Sequence, residues 1–168
     1  MGVKNHRRHG AKNVVLAILT VSDTRNRRTD ETGRILRQAF EKAGHKVIRQ
    51  GIVKDERREI HAWLKDALMD PRIHLIITNG GTGIARRDVT VETVRPLLEK
   101  ELSGFGELFR MVSYKQIGSA AMMSRAIAGT FSGRVVFCMP GSPNAVQLAM
   151  TKLIIPQLGH LILELNKS

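Results

Sequence analysis

The sequence predicts an α/β protein with a mostly parallel central sheet. Residues 14–21 (VVLAILTV), 73–77 (IHLII) and 134–139 (RVVFCM) form nearly continuous apolar runs, which are typical of strands buried on both faces of a sheet. Segments with a helical period and one further strand segment lie between the first two runs, and the connections are short. This order of strand, helix, strand, helix and strand favours parallel pairing with right-handed crossovers.

The first half of the chain alternates strands and helices. A polar loop follows the first strand, and a helix is predicted from residues 30 to 43, where Gly44 ends it. The second strand is predicted at residues 45–53 and is followed by a helix with an apolar stripe. Asp55 stands between this strand and this helix, where the sequence alone favours a helix N-cap over a functional role.

The second half is predicted to be mainly helical. Pro96 restricts the helix after the glycine-rich loop, and helical segments are expected at residues 104–117 and 118–128. Three methionines are predicted to fill the core, namely Met111, Met122 and Met123. After a turn at residues 140–144, a C-terminal helix is expected to break at Pro156 and Gly159.

Residues 78–90 (TNGGTGIARRDVT) form the strongest candidate binding loop. Gly80, Gly81 and Gly83 leave the backbone N–H groups accessible to a bulky anion such as phosphate. Two arginines and Asp88 follow, a combination that suits phosphates bridged by Mg²⁺. A tight turn with Asp88 as a helix N-cap explains the same residues, and the glycines alone leave both interpretations open. The spacing matches neither the P-loop nor the GxGxxG dinucleotide motif.

The chain is strongly basic, with a formal net charge of +12 over 168 residues. Residues 1–12 contain cations and no acidic residue, and they are predicted to be a flexible basic arm before a single domain at residues 13–168. Such a charge attracts nucleic acid or small phosphorylated ligands. A third explanation is that the surplus of Lys and Arg only keeps the protein soluble. Because aromatic residues make up only 4% of the chain, nucleic acid recognised by base stacking is disfavoured.

The composition predicts a cytoplasmic protein that does not contact a membrane. The N-terminus has no apolar stretch of the kind found in signal peptides, and no apolar run approaches the length of about 18 residues that indicates a membrane span. The single cysteine, Cys138, has no partner in the chain for a disulfide, which fits a reducing compartment. Its apolar neighbours predict a buried, unreactive thiol.

Four stretches carry a resemblance to a known family: TVSDTR, TNGGTG with RDVT, GFGELFRMVS with SAAMMSRAIAG, and MPGSPNAV. In these stretches the chain resembles the molybdenum cofactor biosynthesis proteins of the MoaB/MogA family, and GFGELFR and PGSPNAV are closer to the MoaB type. The resemblance covers residues 13–160 in unbroken order. It implies the molybdopterin-binding fold, a three-layer α/β/α arrangement.

The resemblance also implies an activity. Members of the family use Mg²⁺ and ATP to convert the terminal phosphate of molybdopterin to an adenylate, after which a downstream protein inserts molybdate. The chain is thereby expected to be a molybdopterin adenylyltransferase and a homo-oligomer, either a trimer or a hexamer. The alternative is a non-catalytic carrier of molybdopterin in the same pathway.

The family's functional residues map onto positions of this chain. The catalytic acid of the GGTG loop corresponds to Asp88, and the acid at the end of the second strand corresponds to Asp55. Both are expected to hold Mg²⁺ or to orient the attacking phosphate. The expected ligand-binding residues lie in four loops: Ser22, Asp23, Gly80, Gly81, Thr82, Gly83, Ser124, Arg125, Pro140, Gly141 and Ser142.

Overall fold

The computed structural model describes residues 13–167, so the predicted basic arm of residues 1–12 lies outside the described residues. Strands and helices alternate through the first half of the chain, as the sequence predicts. The elements in chain order are β1 (Val15–Val21), α1 (Glu31–Lys42), β2 (Lys46–Val53), α2 (Arg57–Leu68), β3 (Leu75–Asn79), α3 (Thr90–Val94) with a 3₁₀ turn (Arg95–Leu97), β4 (Lys100–Glu101), α4 (Ser103–Ile117) with a 3₁₀ turn (Gly118–Met123), β5 (Ile127–Phe131), β6 (Arg134–Met139), α5 (Pro143–Ala149), a π-helical turn (Met150–Ile154) and α6 (Ile155–Leu165).

The six strands form one sheet in the order β2-β1-β3-β6-β5-β4. The pairs β1–β2, β1–β3 and β3–β6 are parallel, whereas β5 is antiparallel to both β4 and β6. The predicted mostly parallel sheet is confirmed, but the prediction of helix over residues 118–128 is wrong at its end. A hairpin turn at Ser132 and Gly133, with φ of 50° and 70°, folds β5 back onto β6, because positive φ at both central positions matches the strand twist.

The sheet separates two hydrophobic cores, so the three-layer α/β/α arrangement is confirmed. Because side chains alternate along a strand, Leu16 and Ile18 of β1 face the core formed with α1, α4, α5 and α6. Ala17 and Leu19 of the same strand face the opposite core, which includes α2 and α3. Cys138 belongs to this second core and is fully buried, as predicted.

The carboxyl ends of the parallel strands meet at one edge of the sheet. In the strand registers Val21 of β1 lies beside Val53 of β2, Thr20 lies beside Asn79 of β3, and Asn79 lies beside Met139 of β6. Four loops therefore leave the sheet side by side, in the place where open α/β sheets bind their ligands.

The C-terminal helical segment does not break at Pro156 or Gly159, so that prediction is wrong. Residues 143–165 are continuously helical, with a π-helical turn at Met150–Ile154 before the proline. The wider turn accommodates a residue that lacks an N–H group and whose ring would clash with the preceding turn. This segment is long and apolar enough to span a membrane by length and composition. Its buried side chains, including Val146, Leu158 and Ile162, pack in the first core.

The three methionines predicted to fill the core are exposed, so this prediction is also wrong. Met111, Met122 and Met123 have relative exposures of 53%, 79% and 52%. The aromatic rings of Phe105 and Phe109 occupy the core side of α4 instead. An apolar surface on α4 results, and it has no cover within residues 13–167.

Candidate functional site

The glycine loop after β3 is held in close contact with its neighbours. Gly80 and Gly81 have φ of +98° and +62°, a region that favours glycine. A Cβ atom on Gly80 would lie 2.1 Å from the carbonyl oxygen of Val21, and one on Gly141 would lie 3.0 Å from the Cα of Gly80. The ends of β1, β3 and β6 thus approach one another closely, which larger residues would prevent.

A cavity of about 490 Å³ opens above this loop. The N–H group of Gly80 donates to the carbonyl of Met139 at 3.0 Å. By contrast, the N–H groups of Gly81, Thr82 and Gly83 form no hydrogen bond within residues 13–167. The cavity is lined by Thr20, Val21, Ser22, Thr24, Arg25, Asn79, Gly80, Gly81, Thr82, Gly83, Asp88, Met123, Ser124, Pro140 and Gly141.

Asp55 and Asp88 both lie against the glycine loop. Asp55 lies beside Gly81, and Asp88 lies beside Gly83. A Cβ atom on Gly81 would lie 2.5 Å from Oδ1 of Asp55, and one on Gly83 would lie 2.7 Å from Oδ2 of Asp88. Neither carboxylate caps a helix, because the N-cap residues of α2 and α3 are Glu56 and Val89, without side-chain cap bonds. Oδ2 of Asp88 instead accepts a hydrogen bond from the N–H of Ala85 at 2.8 Å.

The environment of Asp55 disfavours its negative charge. Burial raises the pKa of the Asp55 carboxyl, and the nearby carboxylates of Asp23 and Asp88 raise it further. Oδ1 of Asp55 is buried and accepts no hydrogen bond from any residue in the range 13–167. No group of three or more His, Cys, Asp and Glu side chains within the described residues is arranged to hold a metal ion. Two carboxylates nevertheless fit Mg²⁺, which takes its other ligands from water and phosphate oxygens.

Arg87 joins the glycine loop to the ends of β1 and β2. Its guanidinium lies 2.8 Å from Oδ1 of Asp23 and 2.7 Å from Oε1 of Glu56. The hydrogen bonds from Arg87 lower the pKa of Asp23. Oδ1 of Asp23 also accepts the N–H of Asp55 at 3.2 Å, so Asp23, expected to contact a ligand, holds the loops together in this structure.

Arg125, expected to contact the pterin or a phosphate, binds the glycine loop and α3 in this structure. Its guanidinium donates to the main-chain carbonyls of Thr82 at 3.2 Å and Asp88 at 3.1 Å. It also forms a salt bridge with Glu92, and this hydrogen-bonded arginine lowers the pKa of Glu92. Arg125 thus positions the segment that carries Asp88.

Ser124 and the turn after β6 border the same cavity. Ser124 Oγ is buried and has no hydrogen-bond partner among residues 13–167. Pro140 and Gly141 line the cavity. Ser142 is the N-cap of α5, where its Oγ accepts the N–H of Ala145 at 3.3 Å.

A ring of buried polar side chains lies beneath the glycine loop. Asn79 donates to Thr20 Oγ1 at 3.1 Å, Thr20 donates to Asp30 Oδ2 at 2.9 Å, and Thr32 donates to Asn79 Oδ1 at 2.8 Å. Arg25 donates to Thr32 and, at 3.0 Å, to the main-chain carbonyl of the loop after β6. The sequence patterns do not single out these residues, although Asn79 and Thr20 are polar positions in otherwise apolar strands.

A second cleft of about 800 Å³ adjoins the glycine cavity and shares Ser22 and Arg25 with it. The side chains of Arg27, Arg34 and Lys54 line this cleft and form no hydrogen bond or salt bridge to the described part of the chain. Its wall also includes backbone and apolar side chains of β2. The arrangement provides cations beside an apolar wall, which suits a ligand that combines a ring system with phosphate.

These observations define a three-layer α/β protein with a glycine-rich loop and two carboxylates at the carboxyl edge of its sheet. Residues 17–160 match a family model described as a probable molybdopterin binding domain. The chain is 50% identical to molybdenum cofactor biosynthesis protein B of Bacillus cereus over 168 residues, 99% of each protein. It is 51% identical to the protein of the same description from Halalkalibacterium halodurans, again over 99% of each.

Comparison with solved structures identifies the same kind of protein. A crystal structure of a molybdenum cofactor biosynthesis protein B is 51% identical with a TM-score of 0.90, covering 94% of this chain and 98% of that one. The tungsten cofactor synthesizing protein MoaB from Pyrococcus furiosus is 34% identical with a TM-score of 0.84, covering 94% and 99%. The chain belongs to the MoaB/MogA family of molybdenum cofactor biosynthesis proteins.

Proposed function

We propose that the protein is a molybdopterin adenylyltransferase that uses ATP and Mg²⁺. An oxygen of the terminal phosphate of molybdopterin attacks the α-phosphorus of ATP and forms a new P–O bond. The bond between the α-phosphorus and the bridging oxygen breaks, and pyrophosphate leaves with the electron pair. The observation that carries the proposal is the placement of Asp55 and Asp88 against one glycine loop that has accessible N–H groups.

The glycine loop and the carboxylates that lie against it fit the nucleotide. Asp55 and Asp88 would hold Mg²⁺, which neutralises phosphate charge and orients the triphosphate. The N–H groups of Gly81, Thr82 and Gly83 are available to donate to phosphate oxygens. Arg87 and Arg125 keep these groups in place through the contacts described above. Catalysis then consists mainly of alignment and charge stabilisation, as phosphoryl-type transfers require.

The second cleft fits the other substrate. Because the two cavities meet at Ser22 and Arg25, a ligand in the cleft can present a phosphate to a nucleotide on the glycine loop. The cations Arg27 and Arg34 favour the anionic groups of molybdopterin. The alternative, a carrier that binds molybdopterin without reaction, requires only the cleft.

The test is pyrophosphate release from ATP in the presence of purified molybdopterin. The wild-type protein is expected to release pyrophosphate only with both substrates and Mg²⁺, and Asp88→Asn is expected to lower the rate about 100-fold or more. Asp66→Asn is the matched control, because Asp66 is an exposed carboxylate on α2. No release by the wild-type protein, combined with tight binding of molybdopterin, would establish the carrier instead.

We further propose that the protein is a cytoplasmic homo-oligomer that passes its product to a molybdate-insertion protein. The exposed apolar side chains of α4 support self-association, because Leu108, Met111, Tyr114 and Ile117 are each more than 45% exposed and form a patch that a monomer rarely leaves open. Met111→Glu should lower the mass measured by light scattering. Met69→Glu, which changes an equally apolar exposed residue outside this helix, should leave the mass unchanged.

A further inference from the structure

Thr90, the first residue of α3, has a buried hydroxyl that the protein does not use. The residue is 0% exposed, and its Oγ1 has no hydrogen-bond partner anywhere in residues 13–167. Its main chain is well anchored, because the N–H of Thr90 donates to the carbonyl of Gly81 at 3.0 Å. Buried hydroxyls almost always have a partner, since an unsatisfied one costs free energy.

The hydroxyl of Thr90 faces the carboxylate of Asp55 across Gly81. A Cβ atom built on Gly81 would lie 2.3 Å from Oγ1 of Thr90 and 2.5 Å from Oδ1 of Asp55. Among the described residues, Oδ1 of Asp55 is the other buried oxygen beside Gly81 that has no hydrogen-bond partner. Two unsatisfied oxygens from different elements therefore converge on the position that only a glycine leaves open.

The charge around these two oxygens favours a cation over a neutral ligand. Asp23 and Asp88 both act electrostatically on Asp55, and Asp88 lies at the neighbouring Gly83. Arg87 offsets part of this negative charge but binds Asp23 and Glu56 directly and not Asp55. A water molecule would satisfy the hydrogen bonding without reducing the repulsion among the carboxylates. A divalent cation does both, and hydroxyl and carboxylate oxygens are the hard ligands that Mg²⁺ and Mn²⁺ prefer.

We infer that Thr90 supplies its hydroxyl oxygen to a divalent cation held by Asp55 and Asp88. This inference rests on the proposed function in placing Mg²⁺ at the two aspartates, and it adds a third protein oxygen. It also explains why the fold retains a buried hydroxyl that lowers its stability in the absence of the ion.

The experiment uses Mn²⁺ as the probe in the full-length protein, with binding measured by electron paramagnetic resonance with and without ATP. Thr90→Val removes the hydroxyl at nearly constant volume and should weaken Mn²⁺ binding about tenfold or more. Its melting temperature without metal should equal or exceed that of the wild-type protein, because an unsatisfied polar group is removed. Thr90→Ser keeps the hydroxyl and should bind Mn²⁺ within about threefold of the wild-type protein.

Thr93→Val is the matched control, because Thr93 lies one turn further along and its hydroxyl donates to the carbonyl of Val89 at 2.7 Å. It should lower the melting temperature and leave Mn²⁺ affinity unchanged. Wild-type affinity in Thr90→Val, equal losses in Thr90→Ser and Thr90→Val, or no Mn²⁺ binding by the wild-type protein would each overturn the inference. Mn²⁺ binding that depends on Thr90 in a protein that releases no pyrophosphate would support the cation site and overturn the proposed activity alone.

Discussion

The guanidinium of Arg125 donates a hydrogen bond to the main-chain carbonyl of Asp88 at 3.1 Å. An arginine between α4 and β5 therefore sets the position of a segment that leaves β3. The same side chain binds Thr82 and Glu92, so it spans the glycine loop from its start to the helix that follows. The geometry of Asp88 thus depends on a residue that is distant in the sequence.

Replacing Arg125 with Gln should lower the free energy of unfolding by about 2 kcal/mol, because hydrogen bonds to a charged group are lost and Glu92 is left unpaired. Amide hydrogen exchange in residues 82–88 should accelerate more than exchange in the sheet. Arg95→Gln is the control, since Arg95 pairs with Glu101 at an exposed site and should cost less than about 1 kcal/mol. Equal effects of the two substitutions would contradict the positioning role.

Gly81→Ala should cost more stability than the backbone conformation alone explains. Gly81 and Gly44 both have positive φ, +62° and +83°, but a Cβ atom on Gly44 meets nothing within 4 Å. Gly44→Ala should therefore cost about 1–2 kcal/mol from strain only. Gly81→Ala adds the contacts with Thr90 and Asp55 and should also abolish binding of ATP with Mg²⁺. Denaturant unfolding measures the loss of stability, and calorimetric titration measures the binding of ATP. Equal losses of stability in Gly81→Ala and Gly44→Ala would show that Thr90 and Asp55 move away from the added Cβ atom at no cost.

Asp55→Asn should stabilise the protein in a pH-dependent way. The pKa of Asp55 is raised in the folded state, so the folded protein binds the proton more tightly than the unfolded chain does. Stability is consequently lost as the pH rises from the ordinary carboxyl pKa through the raised value. Asn removes this loss, and the variant should melt at a higher temperature than the wild-type protein at pH 7. The gain should disappear below about pH 3.8, the ordinary pKa; a gain independent of pH would contradict the assignment.

Cys138 should resist thiol reagents in the folded protein. Burial raises the pKa of its thiol to about 12, and the side chain has no exposed surface, so the reactive thiolate is scarce and inaccessible. At pH 8 a chromogenic disulfide should modify the native protein only as fast as it unfolds. In guanidinium chloride the same reagent should release one equivalent, since the sequence contains one cysteine.

The parallel core of the fold follows from the sequence because its strands are continuous apolar runs. The boundaries of β1, α1 and β2 agree with the prediction within one residue. The antiparallel edge of the sheet, formed by β4 and β5, is not predictable from the sequence. The reason is that β4 has only two residues and pairs with positions of β5 that are far away in the chain. The exposure of Met111, Met122 and Met123 is not predictable for a related reason, since residue type alone does not distinguish a buried helix face from an exposed one.

At the site, the residue pattern alone favours a helix N-cap for Asp55, and only the family resemblance pairs it with Asp88. The structure places both carboxylates against the glycine loop. The partners of the arginines are not predictable in this way. Whether Arg125 binds a ligand or a main-chain carbonyl depends on distances between loops, which no local pattern contains. The role of Thr90 is not predictable from the sequence, because an unsatisfied hydroxyl is recognised only once its surroundings are known.

The π-helical turn at Met150–Ile154 determines which face of α6 points toward the core. The buried residues Val146, Met150, Ile154, Leu158 and Ile162 recur every fourth position, whereas an unbroken α-helix turns about 100° per residue and would let such a stripe drift around its axis. Deleting one residue from this turn would rotate α6 by about that angle and carry Leu158 and Ile162 out of the core. The C-terminal segment should therefore tolerate conservative replacements at these positions far better than a change in their number.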